Sequence, residues 1–472
     1  MPQLDADCLN EIFEYLEDDK ETLRSCLLVN RFWGEISVRI LWKIIRNYET
    51  IIACLPNESR EVLYKNGINI LTTKFPIYNY ITYIKNLSIY TIDEIIKNIL
   101  KNYQTVTPQS LNYIKFIILQ ELYKLFMKRI SCLKKLHFYS YRIIDIPNIT
   151  FILYPGAINC LKDLTELSCR SDIYPEFFYQ LSQICHNIQH LDITFKEVIS
   201  NGLSDLISVQ KNLKYLDIMQ YYECRDLTNI IPSLKKLPNT LIKFELYGYI
   251  IPLSFITKFT NLQELVLLYS CDFDESNDPF EDFNELQHVT FSQLQILRFE
   301  DASPKTDLLI KFLENNGKFL KEFHVESDNY LLNLAIAKYC FNLKIFSILI
   351  LSYENYELES LKEIFNNCQN LESIKVKCEG EYEKELLDVI SEYSPNNFSE
   401  LGLYYSYDAK SKLLPDTFET FFVNWKNRTS LKSISLIIDS YSGKNIFDNY
   451  EEIMKVIEKF IKLGVIKKFI ID

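Results

Sequence analysis

The 472-residue chain reads as an α/β protein. Three short helices at the N-terminus are followed by an irregular solenoid, with parallel strands on a concave face and helices on a convex one. Three observations predict this. The first 42 residues place apolar side chains at steps of three and four, the period of helix faces. From Leu133 onward a short unit, L-x-x-L-x-φ with φ apolar, recurs to the end of the sequence. Between these units lie segments with helical spacing.

The helical faces of the opening segment are Leu9, Ile12, Phe13 and Leu16, then Leu23 and Leu27, then Val29, Phe32, Trp33 and Ile36. Asp5 and Asp7 precede the first set, where a short carboxylate caps free backbone N–H groups and suits the helix dipole. The acidic run Glu17-Asp18-Asp19-Lys20-Glu21 breaks the pattern. About 40 residues is the lower edge of independent folding, so Phe13, Trp33 and Trp42 are expected to meet a partner or the next domain. We place this segment at 1–45 and a connector and N-terminal cap at 46–131. The connector has a short helix over 57–65 ended by Asn66-Gly67, β-prone pieces around Pro76, and helical spacing over 92–103 and 110–131.

The solenoid occupies 132–472. Its units are LKKLHF, LTELSC, IQHLDI, LKYLDI, LIKFEL, LQELVL, LQILRF, LKEFHV, LKIFSI, LESIKV, FSELGL, LKSISL and IKKFII, with an earlier copy, IKNLSI, at Ile84. Starting positions from Leu133 to Ile466 average about 28 residues apart, within the range of leucine-rich repeats. The last two apolar positions of a unit are two apart, which is strand geometry. Helical faces between units include Phe177, Phe178, Leu181 and Ile184; Leu308, Leu309, Phe312 and Leu313; and Leu361, Ile364 and Phe365. One repeat cannot close its own core, so the array must stack.

Composition removes several function classes. A formal charge of −12 argues against a nucleic-acid partner, which needs clustered Lys and Arg. Ten scattered glycines leave no phosphate-cradling loop. No apolar run is long enough to span a bilayer, and the opening residues lack the pattern of a secretory signal. Twelve cysteines without a C-x-x-C pair read as reduced thiols, which places the chain in the cytoplasm and/or nucleus. Cys132, Cys185, Cys340 and Cys368 recur at one repeat position and are expected to pack as small buried hydrophobes. His186 and His190 are four apart, but the interval runs from a helix end into a strand, so no metal site is expected. The acidic runs Asp272 to Asp282 and Glu379 to Glu385 lack the calcium-loop pattern and read as solvated loops. Neither a cofactor nor an enzymatic activity is expected.

The opening segment carries a family resemblance. Leu4, Ile12-Phe13 with Leu16, Leu28-Val29-Asn30-Arg31 with Trp33, and Leu41-Trp42 resemble the F-box motif. Asp5 stands where the family usually has proline and Asn30 where it often has cysteine. The resemblance implies docking onto the Skp adaptor, and through it a cullin, by Leu4, Asp5, Leu9, Ile12, Phe13, Leu16, Val29, Trp33, Leu41 and Trp42. The array resembles the leucine-rich repeats of F-box proteins, including cysteines just before the strand. The Asn or Cys that family places after the strand is mostly replaced, by Asp172, Ser270, Asp328, Ser406 and Asp439 among others, whose side chains are expected to bond buried turn backbone in an irregular ladder. Residues 51–89 resemble members of a large expanded fungal F-box set.

The resemblance implies a substrate-recognition subunit of an SCF-type ubiquitin ligase, with an unidentified target protein held on the concave face. Candidates there are the residues flanking the strand apolar positions: Arg170, His190, Asp192, Tyr215, Asp217, Arg298, His324 and Lys375. The face is mixed and mildly acidic. The alternative is a repeat scaffold outside any ligase, with residues 1–42 capping the exposed end of the solenoid.

Overall fold

The computed structural model describes residues 5–70, 76–101, 108–139, 150–221, 224, 227, 229–248, 252–269, 280, 282–327, 329–350, 356–378, 382–406, 409–428, 432–440 and 443–471. Leu4, Ser270, Asp328 and Leu431 lie outside these, as do most of the run from Asp272 to Asp282 and the start of that from Glu379. The chain divides into two compact units, residues 1–238 and 239–472.

The first unit opens with helices α1 (Ala6–Glu14), α2 (Lys20–Cys26) and α3 (Arg31–Leu41). Each is started by a short polar side chain. Asp5 accepts from the Cys8 N–H at 2.8 Å, Asp19 from Thr22 at 3.0 Å and Asn30 from Trp33 at 2.9 Å. Leu9, Phe13, Leu23, Cys26, Ile36, Ile40 and Leu41 form one buried cluster between the helices. Trp33 meets Phe13 edge-on, with centroids 5.2 Å apart. This corrects the expectation that Phe13 and Trp33 wait for a partner: the three helices close a core of their own. Trp42, at its rim, packs instead on Tyr80 at 4.3 Å.

Next come α4 (Tyr48–Ala53) and α5 (Asn57–Lys65), the latter stopped where Gly67 takes φ +81°, a conformation open to glycine. Strand β1 (Asn86–Ser88), α6 (Ile89–Leu100) and α7 (Pro108–Arg129) follow. Glu121, among the apolar residues of α7, is buried and paired with Lys124 at 2.6 Å. The remaining elements are β2 (Lys135–Phe138), α8 (Ala157–Leu161), β3 (Glu166–Arg170), α9 (Pro175–Ile184), β4 (His190–Phe195), α10 (Asn201–Ser208), β5 (Tyr215–Gln220) and α11 (Ile231–Leu234). Strands β1 to β5 pair in chain order, all parallel, and the central leucine of each unit meets the next: Leu87, Leu136, Leu167, Leu191, Leu216.

One backbone pattern recurs at every step of this unit. The Lys85 carbonyl accepts from both Lys134 and Lys135, Lys134 from Thr165 and Glu166, Thr165 from Gln189 and His190, and Gln189 from Lys214 and Tyr215. The series begins before β1, for the Lys43 carbonyl accepts from Lys85 and Asn86 at 2.8 and 3.0 Å, and Ile44 bridges Asn86. The series of backbone bonds therefore starts just after α3 and includes the earlier repeat copy at Ile84.

In the second unit the strands are β6 (Lys243–Tyr247), β7 (Glu264–Leu268), β8 (Ile296–Glu300), β9 (Glu322–His324), β10 (Ile345–Ile350), β11 (Ser373–Cys378), β12 (Glu400–Tyr405), β13 (Ile434–Ser440) and β14 (Ile466–Ile471). They too pair in chain order and in parallel. The helices between them are α12 (Phe283–Leu286), α13 (Thr306–Asn316), α14 (Tyr330–Tyr339), α15 (Tyr356–Asn367), α16 (Glu383–Tyr393), α17 (Pro415–Lys426) and α18 (Tyr450–Lys462). Helices cover one sheet face in each unit: Phe138 of β2 stacks on Phe177 of α9 at 4.7 Å, and Phe299 of β8 meets Phe283 of α12 at 5.9 Å.

Three expectations about the repeats are corrected. The unit placed at Leu431 is shifted by two residues, since Leu401 pairs with Leu436 and not Ile434. A two-residue slip keeps the same residues on the buried face, so Ile434, Leu436 and Ile438 all stay in the core. Cys132 is half-buried, unlike Cys185, Cys340 and Cys368, because it adjoins Leu133 while Ile130 takes the buried place three residues before the unit. Asp172 does not bond turn backbone but pairs with Arg170. Buried Ser171 does that work, accepting from Lys196 N and donating to the Val198 carbonyl. Gln210 and Asn316, at helix ends, each accept one loop N–H and donate to two carbonyls.

Candidate interaction surfaces

The N-terminal helices separate adjacent apolar residues. Leu9, Phe13 and Leu41 point into the shared core and offer no surface, whereas Ile12 is 47% and Val29 57% exposed. Leu16, Trp33 and Trp42 pack part-buried against that core. The docking set left out two further exposed side chains, Tyr15 at 93% and Leu28 at 88%, the latter named only as part of the motif. For Tyr15, at the end of α1, the signal was adjacency to Leu16, since two neighbouring apolar residues on a helical turn cannot both face one side; Leu28 lies in the turn between α2 and α3. Asp5 and Asn30, the departures from the family pattern, are both helix caps.

On the helix-free face of the first unit, His190 Nε2 and Asp217 Oδ2 lie 2.7 Å apart, with Tyr215 edge-on to the His190 ring. The bond to Asp217 raises the His190 pKa above its usual value. Asp192, the register partner of Asp217, is itself pushed up, chiefly by burial and against the pull of a hydrogen bond from Ser168. Ser168 also meets His137 Nδ1 at 3.1 Å, and burial lowers the His137 pKa. Arg170 forks onto Asp172. His186 turns away to the Ser182 carbonyl, so the two histidines do not converge.

The same face of the second unit is built on shared carboxylates. Glu322 holds both Arg298, at 2.8 Å, and His324, at 2.6 Å, and these bonds bring its pKa down to about 2, the His324 bond contributing most. Glu326 reaches Lys377 across β10 at 2.8 Å, and Glu400 accepts from Ser373 at 3.0 Å. Lys375, half-buried on β11, has no ion pair among the described residues.

No family model matches the chain, and no curated protein sequence matches it. Among solved structures, the leucine-rich repeat-containing protein LegL7 of Legionella pneumophila is 13% identical, with a TM-score of 0.36 over 63% of this chain and 91% of that one. The Rad7 and Elc1 complex of yeast gives 14% identity and a TM-score of 0.34 over 87% of this chain and 96% of the matched one. The strands, their register and the helices behind them settle the architecture. The fold is a leucine-rich-repeat fold. Of the residues singled out on the open face of the repeats, the first unit brings together His190, Asp192, Tyr215 and Asp217, and the second unit Arg298 and His324. Arg170 stands one strand position further along, bound to Asp172. Such a face, polar and built from consecutive strands, suits protein–protein interaction.

Proposed function

We propose that this chain is the substrate-receiving subunit of an SCF-type cullin–RING ubiquitin ligase in the cytoplasm or nucleus, and that it catalyses no bond change itself. Helices α1 to α3 dock the Skp adaptor and through it a cullin, and the open face of the repeats holds a target protein. The observation that carries this is the solvent exposure of Ile12 on α1, Tyr15 at its C-terminal end, and Leu28 and Val29 in the turn between α2 and α3, within a segment of F-box spacing. Burying large apolar side chains on a partner is the main source of association energy. The Lys43 carbonyl bonds and the Trp42–Tyr80 contact join these helices directly to the first strand. Without a loose linker, a bound target stays near the charged ubiquitin-conjugating enzyme, which raises its effective concentration there.

The test is capture of the full chain on purified Skp adaptor. Ile12→Asp with Val29→Asp should abolish capture while leaving the melting temperature close to that of the parent, as surface changes do. Undiminished capture would place the docking surface elsewhere. The scaffold reading has its own support in Trp42, because removing residues 1–42 takes away the ring that packs on Tyr80 just before the first strand. Under that reading the exposed pair has no role, and only the deletion does harm.

A further inference from the structure

On strands β9 to β12 the carboxylates of the open face are already engaged: Glu322 by Arg298 and His324, Glu326 by Lys377, Glu400 by Ser373. Lys375 is left out. Its register partners are Ser347 on β10 and Gly402 on β12, both too small to reach over it. Neither Lys375 Nζ nor Ser347 Oγ has a hydrogen-bond partner among the described residues.

Gly402 shapes the other side. It is the one glycine inside a described strand, a placement that weakens a strand and often marks a close approach. A Cβ there would stand 2.8 Å from Tyr404 Cε2 and 3.5 Å from Lys375 Cγ. The missing side chain lets the Tyr404 ring lie back over the strand, beside the Lys375 stem. An ammonium side chain with three donors thus rises from a strand flanked by the small residues Ser347 and Gly402 and by the Tyr404 ring, with no ion pair to a carboxylate among the described residues.

We infer that Ser347, Lys375, Gly402 and Tyr404 form a seat for an anionic side chain, carboxylate or phosphoryl, presented by an extended segment of the target protein. Charge complementarity selects this occupant, since a cationic group would meet an unneutralised lysine and an apolar one would strand its ammonium. The inference rests on the open face being the target-holding surface, and it deepens that reading by naming the target's chemistry.

The experiment is fluorescence anisotropy of labelled oligoglutamate, oligophosphoserine and oligoglutamine peptides against the full chain at low and high salt. The anionic peptides should bind, weaken with salt and outcompete the neutral one. Lys375→Met should weaken them by about tenfold, as expected for a charge-assisted bond. Lys375→Glu should abolish binding, and the melting temperatures of both variants should match the parent. Gly402→Ala, by displacing the Tyr404 ring, should weaken binding less. Tighter phosphoserine binding assigns the seat to a phosphoryl group, and equal or tighter glutamate binding to a carboxylate. Parent-like affinity in Lys375→Met, or no anionic preference in the parent, would overturn the inference. Adaptor capture by the same preparations reports separately on the docking of α1 to α3, so failure of one is not failure of the other.

Discussion

The N-terminal helices and the repeat strands use the same apolar letters to different effect. In a strand the alternation is strict: Ile374 and Val376 are buried while Ser373 and Lys375 face the other way, and each central residue meets its counterpart in the next repeat. In α1, Ile12 and Phe13 are neighbours of similar hydrophobicity, yet Phe13 is 2% exposed and Ile12 nearly half exposed. A period of two assigns every residue to a face, whereas a short helix packed on two others assigns only its inner stripe. The outer apolar residues are therefore the informative ones, because the fold does not need them.

That contrast is broken most severely by Phe13→Ala. Loss of a buried phenylalanine costs about 3–5 kcal/mol, more than three short helices can spare. Amide hydrogen exchange should become fast across residues 6–41 and stay slow in β2 to β5. Ile12→Ala, one residue away, should change exchange little. In the repeats, Ile374→Ala should cost about 2–5 kcal/mol, with faster exchange centred on β10 to β12, seen by the same measurement.

The open faces sharpen the comparison at smaller cost. Glu322→Gln removes the carboxylate shared by Arg298 and His324 and should destabilise the second unit by about 1–3 kcal/mol in chemical denaturation. The pH dependence has a definite sign. The Glu322 pKa falls from 4.5 to about 2 on folding, so its contribution is complete above 4.5 and is lost as the pH drops through about 2. The Glu322→Gln variant should lack that part of the acid sensitivity.

The strands were legible because their spacing leaves one frame for most units. It misled only near Leu431, where apolar residues at alternate positions fit two frames that bury the same face. The cysteines that precede a unit by three residues were legible as core, and Cys132 was not because it adjoins its unit. Turn satisfaction by Ser171, Gln210 and Asn316 was hidden, since one buried amide or hydroxyl among many polar loop residues has no period. On the N-terminal helices the sequence pointed to the right residues without separating core from surface: Leu9, Phe13 and Leu41 were grouped with Ile12 and Val29. On the sheet it named Lys375 but not the small neighbours that make it accessible, because which residues flank it depends on register between strands about 28 residues apart.

The smallest effect is on the first unit's face, where two histidines on β2 and β4, either side of β3, pull against each other. The His190 pKa is raised on folding, so its pairing with Asp217 stabilises fully below the unfolded value of 6.5 and is lost as the pH rises through the higher folded value. The His137 pKa is lowered by burial, so its penalty is absent above 6.5 and grows as the pH falls. Both side chains are about a third exposed, which limits each contribution to about 1 kcal/mol or less. The parent should therefore show a nearly flat denaturation midpoint between pH 5 and pH 8. With His137→Asn the midpoint should fall as pH rises across that window, because only the His190 pairing remains. With His190→Asn it should rise instead. Equal slopes in the two variants would mean that Ser168 and Asp192, which lie between the two rings, couple them into one titrating unit.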